Sequence, residues 1–130
     1  MGAKAEGKEL AVQKYEDLVV WQKAMDLVVE IYSVVKFLPD EERYALADQM
    51  KRAAVSIPSN IAEGQERGTT KDFVNFLHIA KGSRSELETQ LMICIRLNYL
   101  TLEQVETAQS LLTEIGKMLH SLIQKLSTRH

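Results

Sequence analysis

Arg52-Ala53-Ala54-Val55-Ser56-Ile57-Pro58-Ser59-Asn60-Ile61-Ala62-Glu63-Gly64 carries two helical patterns at once. Gln49, Arg52, Ser56, Asn60, Glu63 and Arg67 recur at steps of three or four. At roughly 100° per residue, all six fall within an arc of about 80°. Leu46, Met50, Ala53, Ile57 and Ile61 form an apolar stripe directly beside them. Both stripes keep phase across Pro58, which predicts one continuous helix with a kink, although an interior proline costs ~3 kcal/mol. Ser56 or Ser59 is placed to satisfy a backbone group freed there. Solvated helix faces are normally long Lys and Glu chains, so short Ser, Asn and Gln side chains beside a core predict hydrogen bonding at a packed surface or a binding site.

Working outward, Leu18, Trp21, Met25, Val28, Tyr32 and Val35 form one apolar stripe, and Ala24, Leu27, Ile31, Val34 and Leu38 form a second. Together they predict a helix with a wide buried face, capped near Asp17 and stopped at Pro39. The central helix then starts between Asp40 and Tyr44 and runs to about Glu66. Gly68 marks a turn, and Thr69 or Thr70 caps a third helix, with Asp72 favouring the positive end of its dipole. That helix carries Phe73, Phe76, Leu77, Ala80, Leu87, Leu91 and Cys94 and ends near Asn98. Its interior Gly82, flanked by small serines, predicts a close crossing with another helix. Thr101 and Gln104 form a capping box for a fourth helix bearing Leu102, Val105, Leu112, Ile115, Leu119, Leu122 and Leu126. Four helices joined by short turns, with no strand alternation, predict an all-α fold: an antiparallel up-and-down four-helix bundle over residues 15–130, behind a flexible leader, residues 1–14.

The 130 residues suit one domain, and 45% hydrophobic content is enough for a core. Sixteen basic and 18 acidic residues leave a net charge of −2, which advertises neither nucleic acid nor a membrane. Only residues 49–96 are net basic, with seven cations against five carboxylates. The single Cys94 sits in an apolar run and reads as a core residue in a cytoplasmic protein. No stretch approaches the ~20 apolar residues of a membrane span.

Several segments resemble the 23S rRNA intervening-sequence proteins, a bacterial family of four-helix bundles. They are Leu18-Val19-Val20-Trp21-Gln22-Lys23-Ala24, Leu38-Pro39-Asp40-Glu41-Glu42, Gln49 to Ala54, Ser56 to Gly64, Phe73 to Leu77, and Ala80 to Thr89. The resemblance runs from about Tyr15 to Leu126. It implies a homopentameric ring and no established enzymatic activity. Thr101 to Leu126 also resembles the last helix of a related branch, the accessory variability proteins of diversity-generating retroelements, which implies RNA or a reverse transcriptase as an alternative partner.

The search for chemistry yields little. His78 and His120 stand alone on their helices, no Glu-x-x-His pair offers a di-iron site, and no nucleophile elbow or phosphate loop occurs. Glu86 and Glu88 diverge by about 200° on a helix. No catalytic residue, metal or cofactor is expected. Two readings of the polar stripe remain. In the leading one, Gln49, Arg52, Ser56, Asn60 and Glu63 form a structural network within or between subunits, with Arg52 recessed. In the other, Arg67, Lys71, Lys81 and Arg84 contact nucleic acid. Trp21, Tyr32, Phe73 and Phe76 all sit on apolar stripes and read as core rather than stacking platforms.

Overall fold

The computed structural model describes residues 14–128. Most of the expected leader, and His130, lie outside the described residues. Among those described, four α-helices account for nearly all regular structure: α1 (Val19–Val34), α2 (Leu46–Glu66), α3 (Thr70–Arg96) and α4 (Glu106–Ser127). Short 3-10 turns at Tyr15–Asp17, Val35–Phe37 and Asp40–Glu42 lead into α1 and join it to α2. Each helix packs on its sequence neighbours, and α4 returns to α1, which closes the four into a bundle.

The core is filled by one face of each helix: Leu27 and Ile31 from α1, Met50, Ile57 and Ile61 from α2, Leu77, Leu87 and Leu91 from α3, and Leu112, Ile115 and Leu119 from α4. The two expected stripes of α1 part company here. Ala24, Leu27, Ile31, Val34 and Leu38 are buried, whereas Met25 and Tyr32 are exposed and Trp21 and Val28 only partly covered. α1 packs on α2 and α4 and keeps an outer face, onto which the middle of the first stripe turns, while its ends, Leu18 and Val35, are buried.

Helix starts depart from expectation in three places. Leu18, not Asp17, precedes α1, and no side chain caps it. The Asp40–Glu42 turn intervenes before α2, whose first amide, that of Leu46, donates to the Glu42 carboxylate. The Thr101–Gln104 box forms in both directions, with bonds of 2.9 and 3.2 Å, yet regular helix begins only at Glu106 and Leu102 points to solvent. Thr69 caps α3 as expected, accepting from the Asp72 amide.

α2 does run unbroken through Pro58, which is itself buried. The side chain that reaches the backbone there is neither Ser56 nor Ser59. Asn60 donates to the Ser56 carbonyl at 2.8 Å. Gly82 is not a contact point either, because a methyl group added there would meet nothing within 4 Å. The tight glycine is Gly64, where an added Cβ would lie 2.5 Å from the Phe76 Cβ. The absence of a side chain at Gly64 lets the end of α2 rest on Phe73 and Phe76 of α3.

Candidate functional site

The α2 polar stripe separates into a central seam and two outer pairs. Ser56 and Ser83 hydroxyls meet at 2.8 Å across α2 and α3, and Asn60 donates to the Ser56 hydroxyl at 2.9 Å. Arg52 lies outside this seam: its guanidinium pairs with Asp48 one turn back, and its side chain is 73% exposed. Glu63 likewise pairs with Arg67 at 3.0 Å in the open, and Gln49 is exposed. Exposed pairs at i,i+4 stabilise a helix by only ~0.3–0.5 kcal/mol. The recessed arginine expected from the spacing is therefore a surface group, because its arc lies at the outer edge of the α2–α3 contact.

Sequence reasoning passed over Gln90. It is buried on α3, its amide nitrogen 3.4 Å from the Glu86 carboxylate, and its buried carbonyl oxygen has no hydrogen-bond partner among the described residues. Its position near the exposed Ile93 and Leu97 of the same helix places an unsatisfied acceptor next to an apolar surface.

The four cations considered for nucleic acid are not brought together. Arg84 is largely buried, donates to the Leu112 carbonyl of α4 at 3.0 Å, pairs with Glu88 at 3.4 Å, and lies against Gly116. It ties α3 to α4 instead of facing solvent. Arg67 pairs with Glu63 and stacks over Phe76, 4.8 Å from the ring centroid. Lys71 and Lys81 are exposed, ten residues apart on α3, hence separated by about 15 Å along its axis. Among the described residues no three His, Cys, Asp or Glu side chains group to hold a metal ion, and no helix is long and apolar enough to cross a membrane.

Two surfaces stand out. The first is apolar: Trp21, Met25, Val28, Val29 and Tyr32 span an arc of about 100° on α1, beside its core face. Val29 is 70% exposed. A smaller apolar patch, Ile93 and Leu97, is exposed near the end of α3, with exposed Ile79 about 20 Å away toward its start. The second surface lies where α1 turns into α2. There a cleft of about 410 Å³ is lined by Tyr32, Lys36, Arg43 and Lys51, with Asp40 as its one carboxylate. Lys51 stands over the Tyr32 ring at 4.9 Å, and Arg43 lies 6.0 Å from the Tyr44 ring centroid. Neither exposed Tyr44 nor Phe37 carried a signal in the periodicity, since both fall in the irregular connection.

The fold has counterparts among known proteins. The family model described as 23S rRNA-intervening sequence protein matches residues 16–121. A crystal structure from Bacteroides thetaiotaomicron, described as a protein with unknown function from the S23 ribosomal protein family, superposes with a TM-score of 0.75. The two are 36% identical, over 82% of this chain and 96% of that one. No curated protein matches. With the helix order, the Ser-Ile-Pro-Ser-Asn segment on α2 and the bundle all in agreement, the chain belongs to the 23S rRNA-intervening sequence protein family.

Proposed function

We propose that the chain is a non-enzymatic cytoplasmic interaction protein that assembles with copies of itself. The observation that carries this reading is the exposed apolar face Trp21–Met25–Val29 on α1, together with a smaller exposed patch, Ile93 and Leu97, on α3. Large apolar side chains gathered in stripes mark interaction surfaces more often than scattered ones do. Two different faces on one chain favour a head-to-tail contact, which closes into a ring when the rotation permits. Five copies is the expected number.

Light scattering on the purified protein tests it. The wild type is expected at a multiple of the chain mass, and Val29→Asp and Ile93→Asp at lower mass with helical content retained. A wild type that stays monomeric at tens of micromolar, and gains mass only with RNA or a reverse transcriptase, would transfer the role to the alternative partner. Lys71 and Lys81, which have no carboxylate partner among the described residues, are the cations that such a partner would meet.

A further inference from the structure

We infer that the cleft between α1 and α2 binds a nucleoside phosphate, with Lys36, Arg43 and Lys51 taking the phosphate and exposed aromatic rings taking the base. The inference begins with the distribution of aromatics. The described chain has eight, and three are exposed: Tyr32 at 44% on the last turn of α1, and Phe37 at 60% and Tyr44 at 84% in the connection that follows it. Trp21, Phe73 and Phe76 are partly or wholly covered by the bundle. Leaving three rings in water is costly, and a short connection between helices does not require it.

Cations reach the cleft from both sides, Lys36 and Arg43 from the connection and Lys51 from α2, while the connection itself also carries Asp40, Glu41 and Glu42. Lys36, Arg43 and Lys51 line the cleft against the single carboxylate of Asp40, which sits 3.9 Å from Arg43. Glu42, just outside, is engaged with the Tyr99 hydroxyl at 2.9 Å and the Leu46 amide. Lys36 and Lys51 have no carboxylate partner among the described residues. Each tyrosine is neighboured by one of the cleft cations, Tyr32 by Lys51 and Tyr44 by Arg43. Tyr32 is the aromatic residue among those lining the cleft, and Phe37 is next to the lining residues Lys36 and Leu38 in sequence.

Cations interleaved with open aromatic faces suit a ligand that is anionic at one end and flat at the other. Arginine and lysine neutralise phosphate oxygens, while every base presents a π-face to a ring. A volume of about 410 Å³ accommodates one nucleotide unit. An apolar furrow lined by Val28, Val29, Tyr32, Ser33 and Lys36 shares Tyr32 and Lys36 with the cleft. The site is distinct from the α3 cations Lys71 and Lys81, and it adjoins the α1 apolar face proposed for assembly, with which it shares Tyr32.

Fluorescence anisotropy with a labelled ten-nucleotide single-stranded RNA tests the inference, with adenosine monophosphate and inorganic phosphate as competitors. Saturable binding is expected, weakening with salt at a log–log slope of about −2, since three cations each contribute about −0.7. The monophosphate is expected to compete at concentrations where inorganic phosphate does not. Lys36→Ala with Lys51→Ala should weaken binding about tenfold or more, and Tyr44→Ala about fivefold or more. Lys71→Ala with Lys81→Ala should change nothing. Light scattering on the same variants should show the wild-type mass, which separates loss of this site from loss of assembly. Competition by the monophosphate as strong as by the strand assigns the cleft to a free nucleotide, and a far weaker one assigns it to RNA. No saturable binding at low salt overturns the inference. Binding that survives the lysine changes, or that inorganic phosphate competes as well as the nucleotide does, overturns it equally.

Discussion

Ser56 on α2 and Ser83 on α3 share a hydrogen bond of 2.8 Å between their hydroxyl oxygens, and Asn60 donates to the first of them. Ser83 is buried and Ser56 half-buried, so neither hydroxyl can readily turn to water. Removing one partner leaves the other short of a bond, while removing both leaves two small apolar groups in contact. Ser83→Ala alone should cost about 1 kcal/mol, and adding Ser56→Ala should cost less than a second independent loss. A urea-denaturation double-mutant cycle measures that coupling, and strict additivity would show that the seam contributes nothing jointly.

The helical glycines make opposite predictions. Gly64→Ala places a Cβ 2.5 Å from the Phe76 Cβ, so α2 and α3 must separate. Overpacking of this kind costs about 1–3 kcal/mol, which exceeds the propensity gained by alanine. Gly82→Ala meets nothing and should gain up to about 1 kcal/mol. Thermal melts of the two variants should move in opposite directions from the wild type.

These glycines also show what a sequence discloses. Gly64 falls on the same arc as Ile57 and Ile61, and Gly82 falls roughly opposite Leu77, Leu87 and Leu91, so the periodicity already held the distinction. The bundle, the run through Pro58 and the Thr69 and Thr101 caps follow from patterns within one helix. Which of α1's two apolar stripes meets the core does not, because that depends on where α2 and α4 sit around it. Arg84 reads as a free cation beside Lys81, and only the closeness of Gly116 on another helix makes it a tie. The exposed Phe37 and Tyr44 lie where no period operates.

Arg84 is expected to act on stability rather than on any anion. Its bond to the Leu112 carbonyl is charge-assisted and largely shielded, in a class worth about 1.5–3 kcal/mol. Arg84→Ala should lower stability by about that amount. Arg84→Lys should restore only part of it, since an ammonium cannot reach Leu112 and Glu88 with the same fork. Glu88→Ala should matter far less, because that pair is longer and more open. Equal losses for Arg84→Ala and Glu88→Ala would place the value in the ion pair instead of the carbonyl bond.

The Cys94 thiol supplies a pH-dependent test of the core. It is fully buried, donates to the Met50 sulfur at 3.7 Å, and has its pKa pushed up from 9.0 to about 11, first by burial and then by the negative charge of Glu42. Below about pH 8 the thiol is protonated whether the chain is folded or not, and stability does not depend on it. Between about 9 and 11 the unfolded chain releases a proton that the folded chain keeps, so stability falls as pH rises. The slope from this one group approaches about 1.4 kcal/mol per pH unit. Tyr99, whose pKa is raised chiefly by its hydrogen bond to Glu42, adds a loss of the same sign, but a Cys94→Val variant retains it. Urea denaturation of wild type and Cys94→Val should therefore show a constant difference up to about pH 8 that shifts in the variant's favour by pH 11. Parallel curves throughout would mean that the thiol does not stay protonated in the folded core.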